Sequence, residues 1–123
     1  MARAPFISIV DDDDSLRRSL GNLLRSLGFR VQEFASAQAF IGSQNAQETA
    51  CVILDVRMPG MNGLDLQRHI AASGWRVPIV FITSHADDDA RTRALAAGAV
   101  AFLSKPFREK EILDAINAAL SRE

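Results

Sequence analysis

A chain of 123 residues, 48% hydrophobic and 24% charged, has the size and make-up of one globular domain and is too short for two full-sized ones. Its formal net charge of −1 gives no electrostatic case for nucleic acid, and no run approaches the roughly 20 apolar residues of a membrane span. Cys51 is the only cysteine, so no internal disulfide forms; set in an apolar run, it reads as a small core residue rather than a reactive thiol. The N-terminus has no segment resembling a signal peptide, and the expectation is a soluble cytosolic protein.

Apolar runs of strand length alternate along the chain with stretches of helical period, without repeats, low-complexity tracts or linkers. The run 6–10 is a strand halted by four aspartates, Asp11 to Asp14. Leu16, Leu20, Leu23, Leu24 and Leu27 then share a helical face, with Asp14 or Ser15 as N-cap and Gly28 as the stop. Residues 31–34 form a short strand, and Ser36 caps a helix carrying Phe40 and Ile41. The run 51–54 is a second strong strand ending directly in Asp55; turn chemistry from Met58 to Gly63 and a helix through Leu64 and Ile70 follow. A strand over 79–82 ends in Thr83 and Ser84, and a helix from about 87 to 97 carries the acidic run Asp87–Asp89 in its first turn. Residues 100–103 make a last strand, closed by Ser104, Lys105 and Pro106, before a helix from about 108 to 120. Strict alternation of five strands and five helices predicts an α/β fold with a parallel sheet and helices on both faces.

In such a sheet, ligands sit beyond the carboxyl ends of the strands, at a topological switch point. The residues following the apolar runs are Asp11 and Asp12, Asp55, Thr83 and Ser84, and Lys105, so the topology alone gathers them on one edge. Crowded carboxylates repel one another, and a hard cation relieves the repulsion. With no cysteine pair, and with His69 and His85 remote in sequence, oxygen ligands favour Mg²⁺, with Mn²⁺ as its substitute, over zinc or copper. Lys105 offers a point charge for phosphate, Thr83 a hydroxyl donor, and a strand-end carboxylate can attack phosphorus. Phosphoryl transfer onto an aspartate uses all of these parts.

The segments Ile-Val-Asp-Asp-Asp (9–13), Ile-Leu-Asp-Val-Arg-Met-Pro-Gly-Met-Asn-Gly (53–63), Val-Phe-Ile-Thr-Ser (80–84) and Phe-Leu-Ser-Lys-Pro-Phe (102–107) resemble the receiver domains of two-component response regulators, of the FixJ-like type. The likeness runs over about residues 6 to 121, and residues 1–123 are read as one receiver domain. It implies a flavodoxin-like (βα)5 three-layer sandwich with strand order 2-1-3-4-5, the order of a chemotaxis receiver. It also implies that Asp55 is the phosphoacceptor and that Asp11, Asp12, Asp55 and the backbone carbonyl of Arg57 hold the Mg²⁺. Thr83 and Lys105 would bind the phosphoryl group, and Phe102 would be a switch aromatic that moves inward as Thr83 is drawn to phosphate. Arg57, Ser84 and His85 would flank the pocket mouth, and Lys105-Pro106 is a candidate cis peptide.

The implied partner is a sensor histidine kinase or histidine phosphotransfer protein, with a phosphorylation-dependent homodimer as a further expectation and no direct contact with nucleic acid or membrane. The protein would catalyse only its own phosphorylation and dephosphorylation. The switched face would be the last two helices and the strand between them. Two rivals stand beside this reading. An aspartyl-phosphate phosphatase places a second aspartate two residues after its nucleophile, where this chain has Arg57. A phosphorylation-independent interaction module would not need the intact set of aspartates, Thr83 and Lys105. Met1 and the lack of a linker or tag favour a natural single-domain regulator over an excised receiver.

Overall fold

The computed structural model describes residues 6–44, 46–84 and 87–121. Five parallel strands, β1 (Phe6–Val10), β2 (Arg30–Phe34), β3 (Thr49–Asp55), β4 (Ile79–Thr83) and β5 (Ala101–Ser104), form one sheet in the order β2-β1-β3-β4-β5. Between and after them lie α1 (Asp14–Ser26), α2 (Ala37–Ile41), α3 (Gly63–Ala72), α4 (Asp88–Ala96) and α5 (Glu109–Leu120), with one 3-10 turn at Ala46–Glu48. This is the flavodoxin-like order.

Side chains alternate across the sheet because a strand repeats every two residues. Cys51 and Ile53 of β3 therefore face Leu20 and Leu24 of α1 and Ile112 and Ile116 of α5. Val52 and Leu54 face Phe40 of α2, Leu66 and Ile70 of α3, and Ala90 and Ala94 of α4. Every residue of β3 is buried, which explains its unbroken apolar run. Each fully buried Leu or Ile contributes roughly 1.5–3 kcal/mol of transfer free energy, so the centre of the sheet is its firmest part.

Several boundaries differ from expectation for identifiable reasons. The N-cap of α1 is Asp13, whose carboxylate accepts from the Leu16 amide at 3.1 Å; any of four consecutive aspartates has the chemistry to cap. The buried face of α1 is Arg17, Leu20, Gly21 and Leu24, while Leu27, past the helix end, is 44% exposed. β3 begins at Thr49 because its hydroxyl meets Ser8 of β1 at 2.6 Å, a buried polar pair that an apolar-run criterion does not see. The Lys105–Pro106 peptide is cis. No helix among the described residues is long and apolar enough to cross a membrane.

Candidate functional site

The sheet changes winding direction at β1 and β3: the chain steps from β1 outward to β2, then back past β1 to β3. The carboxyl ends of β1 and β3 lie side by side, with Val10 paired to Leu54. Asp11 directly follows one strand and Asp55 ends the other. Along the same edge, Asp55 is in register with Ile82, and Thr83 with Ser104, so Thr83 and Lys105 extend the row.

Asp11 is completely buried. Its amide donates to the Phe34 carbonyl at 3.1 Å and one carboxylate oxygen accepts from the Asp13 amide at 2.9 Å. The other oxygen accepts from Lys105 Nζ at 3.2 Å. Asp12 is exposed at the rim, and Asp55 lies at 5% exposure. One ligand oxygen from each of Asp11, Asp12 and Asp55 can be chosen so that all lie within 4.8 Å of one another. Burial, followed by the nearby Asp11 charge, pushes the Asp55 carboxyl from 3.8 up to about 7, while Lys105 pulls it back. Three carboxylates facing one ammonium leave negative charge uncompensated. An all-oxygen set of this kind fits a hard divalent cation.

The loop after β3 comes close beneath Asp55. The Gly63 amide donates to the Val56 carbonyl at 2.9 Å, and a Cβ on Gly63 would stand 2.3 Å from the Asp55 carbonyl oxygen. Only glycine allows α3 to start there. Asn62 and Asp65 close the helix start reciprocally, each side chain accepting from the other's amide, at 2.9 and 3.2 Å. The Arg57 amide points toward an Asp55 oxygen at 3.4 Å.

The expected residues fall into two groups. Asp11, Asp12 and Asp55 meet, with Lys105 against Asp11; Thr83 is buried at the end of β4, its carbonyl accepting from the Lys105 amide at 2.7 Å. Ser84 is exposed on the same edge, and His85 lies outside the described residues. The Arg57 guanidinium reaches sideways to Asp87 at 3.1 Å, and the other oxygen of Asp87 caps α4 through the Ala90 amide at 3.0 Å. A cleft of about 470 Å³ opens between these loops, lined by Val56, Arg57, Asn62, Asp87 and Arg93 among others. Phe102 is already inside, 7% exposed, opposite Phe81 with ring centroids 6.0 Å apart.

Two side chains at this edge have roles that the sequence pattern does not announce. Asp87, besides its helix-start charge, pairs with Arg57. Arg17 is charged and falls outside an apolar pattern, although positions 17, 20, 21 and 24 follow the spacing of one helical face and place it on the buried side.

The model of the response regulator receiver domain matches residues 7–117. Nodulation protein W of Bradyrhizobium diazoefficiens is 49% identical over 117 residues, 95% of this chain and 52% of that protein. The response regulator protein TodT of Pseudomonas putida is 48% identical over 118 residues, 96% and 52% of the two chains. Among solved structures, the response regulator StyR has a TM-score of 0.89 at 46% identity, covering 98% of this chain and 61% of that one. A structure described as FixJ-N has a TM-score of 0.88 at 34% identity, covering 100% and 98%. The chain spans about half the length of the curated relatives it matches.

Proposed function

This chain belongs to the response regulator receiver domains of two-component signalling, and we propose that it takes a phosphoryl group from a phosphohistidine partner onto Asp55. The carrying observation is the meeting of Asp11, Asp12 and Asp55 within 4.8 Å, with Lys105 on Asp11. Receiver domains of this kind work with sensor kinases and are not enzymes in the ordinary sense. We place the reaction in the cytoplasm, with a sensor histidine kinase or phosphotransfer protein as donor.

In the proposed step a carboxylate oxygen of Asp55 bonds to phosphorus while the bond from phosphorus to the donor's imidazole nitrogen breaks, and the imidazole leaves with the electron pair. Asp55 must be ionised to attack, which its burial, and after it the nearby Asp11 charge, opposes. Asp11, Asp12, Asp55 and the Arg57 carbonyl would hold Mg²⁺, which when bound supplies positive charge against the carboxylates and the phosphoryl oxygens. Lys105 would shift from Asp11 toward the phosphoryl oxygens, and the Thr83 hydroxyl would donate to another. Ser84 is small enough to leave the entrance open, and Arg57 and His85 would govern water's approach.

Phe102 is already buried beside Phe81, so we assign phosphorylation the task of holding it inward rather than drawing it in. The surface formed by α4, β5 and α5 would then change its affinity for a protein partner or a second copy of this chain. Arg57 two residues after Asp55 disfavours the phosphatase reading, for it cannot act as the general acid an aspartate there would supply.

The test is incubation with a small acyl phosphate and measurement of phosphate per chain. Incorporation should approach one per chain with Mg²⁺ and collapse with chelator, with no sustained release from a generic phosphomonoester. Incorporation that ignores the cation would refute the assigned chemistry; steady turnover of the monoester would favour the phosphatase.

A further inference from the structure

Arg17 occupies the buried face of α1, where a guanidinium is costly unless its donors are satisfied. Nη1 donates to the Asp11 backbone carbonyl at 2.8 Å, and Nη2 to Asp14 at 2.6 Å. Nε faces Glu33 of β2 at 3.7 Å, and the second oxygen of Glu33 pairs with Arg25 at 2.9 Å. Glu33 reaches this place because residue 21 has no side chain: a Cβ there would lie 2.6 Å from the Glu33 carboxylate. A glycine inside a helix weakens it, so the slot comes at a cost to α1.

This network ends on the backbone of a pocket residue. The Asp11 amide is fixed by Phe34, its carbonyl by Arg17 and its carboxylate by Asp13 and Lys105. The bond from Arg17 therefore fixes the orientation of the peptide between Asp11 and Asp12, the segment that carries both carboxylates. We propose that Arg17 is a positioning residue of the acidic pocket, held by Glu33, fixing Asp11 and Asp12 for a divalent cation. It touches neither cation nor phosphoryl group. The proposal rests on the cation site assigned above. Asp14 and Glu33 offset the charge of Arg17, so its contribution is the planar fork, and a lysine would not replace it.

The experiment is direct Mn²⁺ binding, read by electron paramagnetic resonance of the free ion at a temperature where every variant is folded. Arg17→Gln and Arg17→Lys should each weaken Mn²⁺ about tenfold, the scale on which groups that orient metal ligands act. Ile116→Val, a loosened core position in α5, should leave the affinity unchanged. Either Arg17 variant binding within about twofold of the parent would overturn the proposal, whatever its melting temperature. If neither folds, Glu33→Gln decides: weaker binding supports the relay and parental binding refutes it. A parent that does not bind Mn²⁺ removes the cation site itself, a failure visible before any variant is made.

Discussion

The helices α1 and α4 both start at the functional edge, and both open on an aspartate N-cap, Asp13 and Asp87. Behind those caps they are held differently. α1 buries Leu20 and Leu24, and its first turn is tied to the pocket by Arg17, a side chain only 11% exposed. α4 buries just Ala90 and Ala94; a buried bond from Gln67 of α3 to the Ala94 carbonyl at 3.0 Å holds its far end, while its start at the pocket is tied through the Arg57–Asp87 pair, whose side chains are 57% and 31% exposed. Exposed ion pairs contribute roughly 0–1 kcal/mol, and an element with little buried apolar surface opens at low free energy. The pocket therefore has one fixed wall and one loosely held wall. A charge change at Asp55 has far less to overcome in moving α4 than in moving α1.

The largest effect should come from the fixed wall. Leu24→Ala should lower global stability by about 3–4 kcal/mol in a denaturant titration, the usual cost of a cavity at a fully buried leucine. A loss below about 1 kcal/mol would mean that α1 is not the anchored element.

Next is the pocket's own titration, in chelator. Asp55 binds its proton up to about 7 in the fold, against 3.8 as its ordinary value, so between those values the folded state holds more protons than the unfolded one. Stability should therefore fall as pH rises from about 4 to about 7, by on the order of 2–3 kcal/mol. Asp55→Asn should flatten that fall. A slope that survives the substitution would assign it to other groups.

Smaller effects belong to α4. Asp87→Ala should cost about 1 kcal/mol through loss of the cap, seen as faster hydrogen exchange confined to α4, whereas Asp87→Asn keeps the cap and should cost less. Arg57→Gln should change stability by under about 0.5 kcal/mol, because its partnership with Asp87 is solvent-exposed. A larger loss in either the asparagine or the Arg57 variant would make the ion pair a genuine anchor and erase the contrast between the walls.

Much of this edge was legible because strand periodicity delivers residues to strand ends. The runs before Asp11, Asp55 and Thr83 placed those residues along one edge of the sheet without any knowledge of tertiary contacts. The strand order was not legible in the same way, since alternation fixes parallel pairing but not which strand stands in the middle; it came from the resemblance. Arg17 was hidden because hydrophobic patterning discards a charged residue from a buried face, and its reason for being there is a backbone carbonyl. The pairing of Arg57 with Asp87 joins residues 30 apart, and nothing local to either announces it. The start of β3 was missed because Thr49 and Ser8 satisfy each other only once the strands are paired.

The central claim is that Asp55 receives the phosphoryl group. Its most direct test is to phosphorylate the parent chain with Mg²⁺ and a small acyl phosphate, reduce the acyl phosphate with borohydride, and locate the modified residue by peptide mass spectrometry. The expected result is modification at Asp55 alone, absent from Asp55→Asn. Modification at Asp11 or Asp12, or undiminished labelling of the asparagine variant, would contradict it.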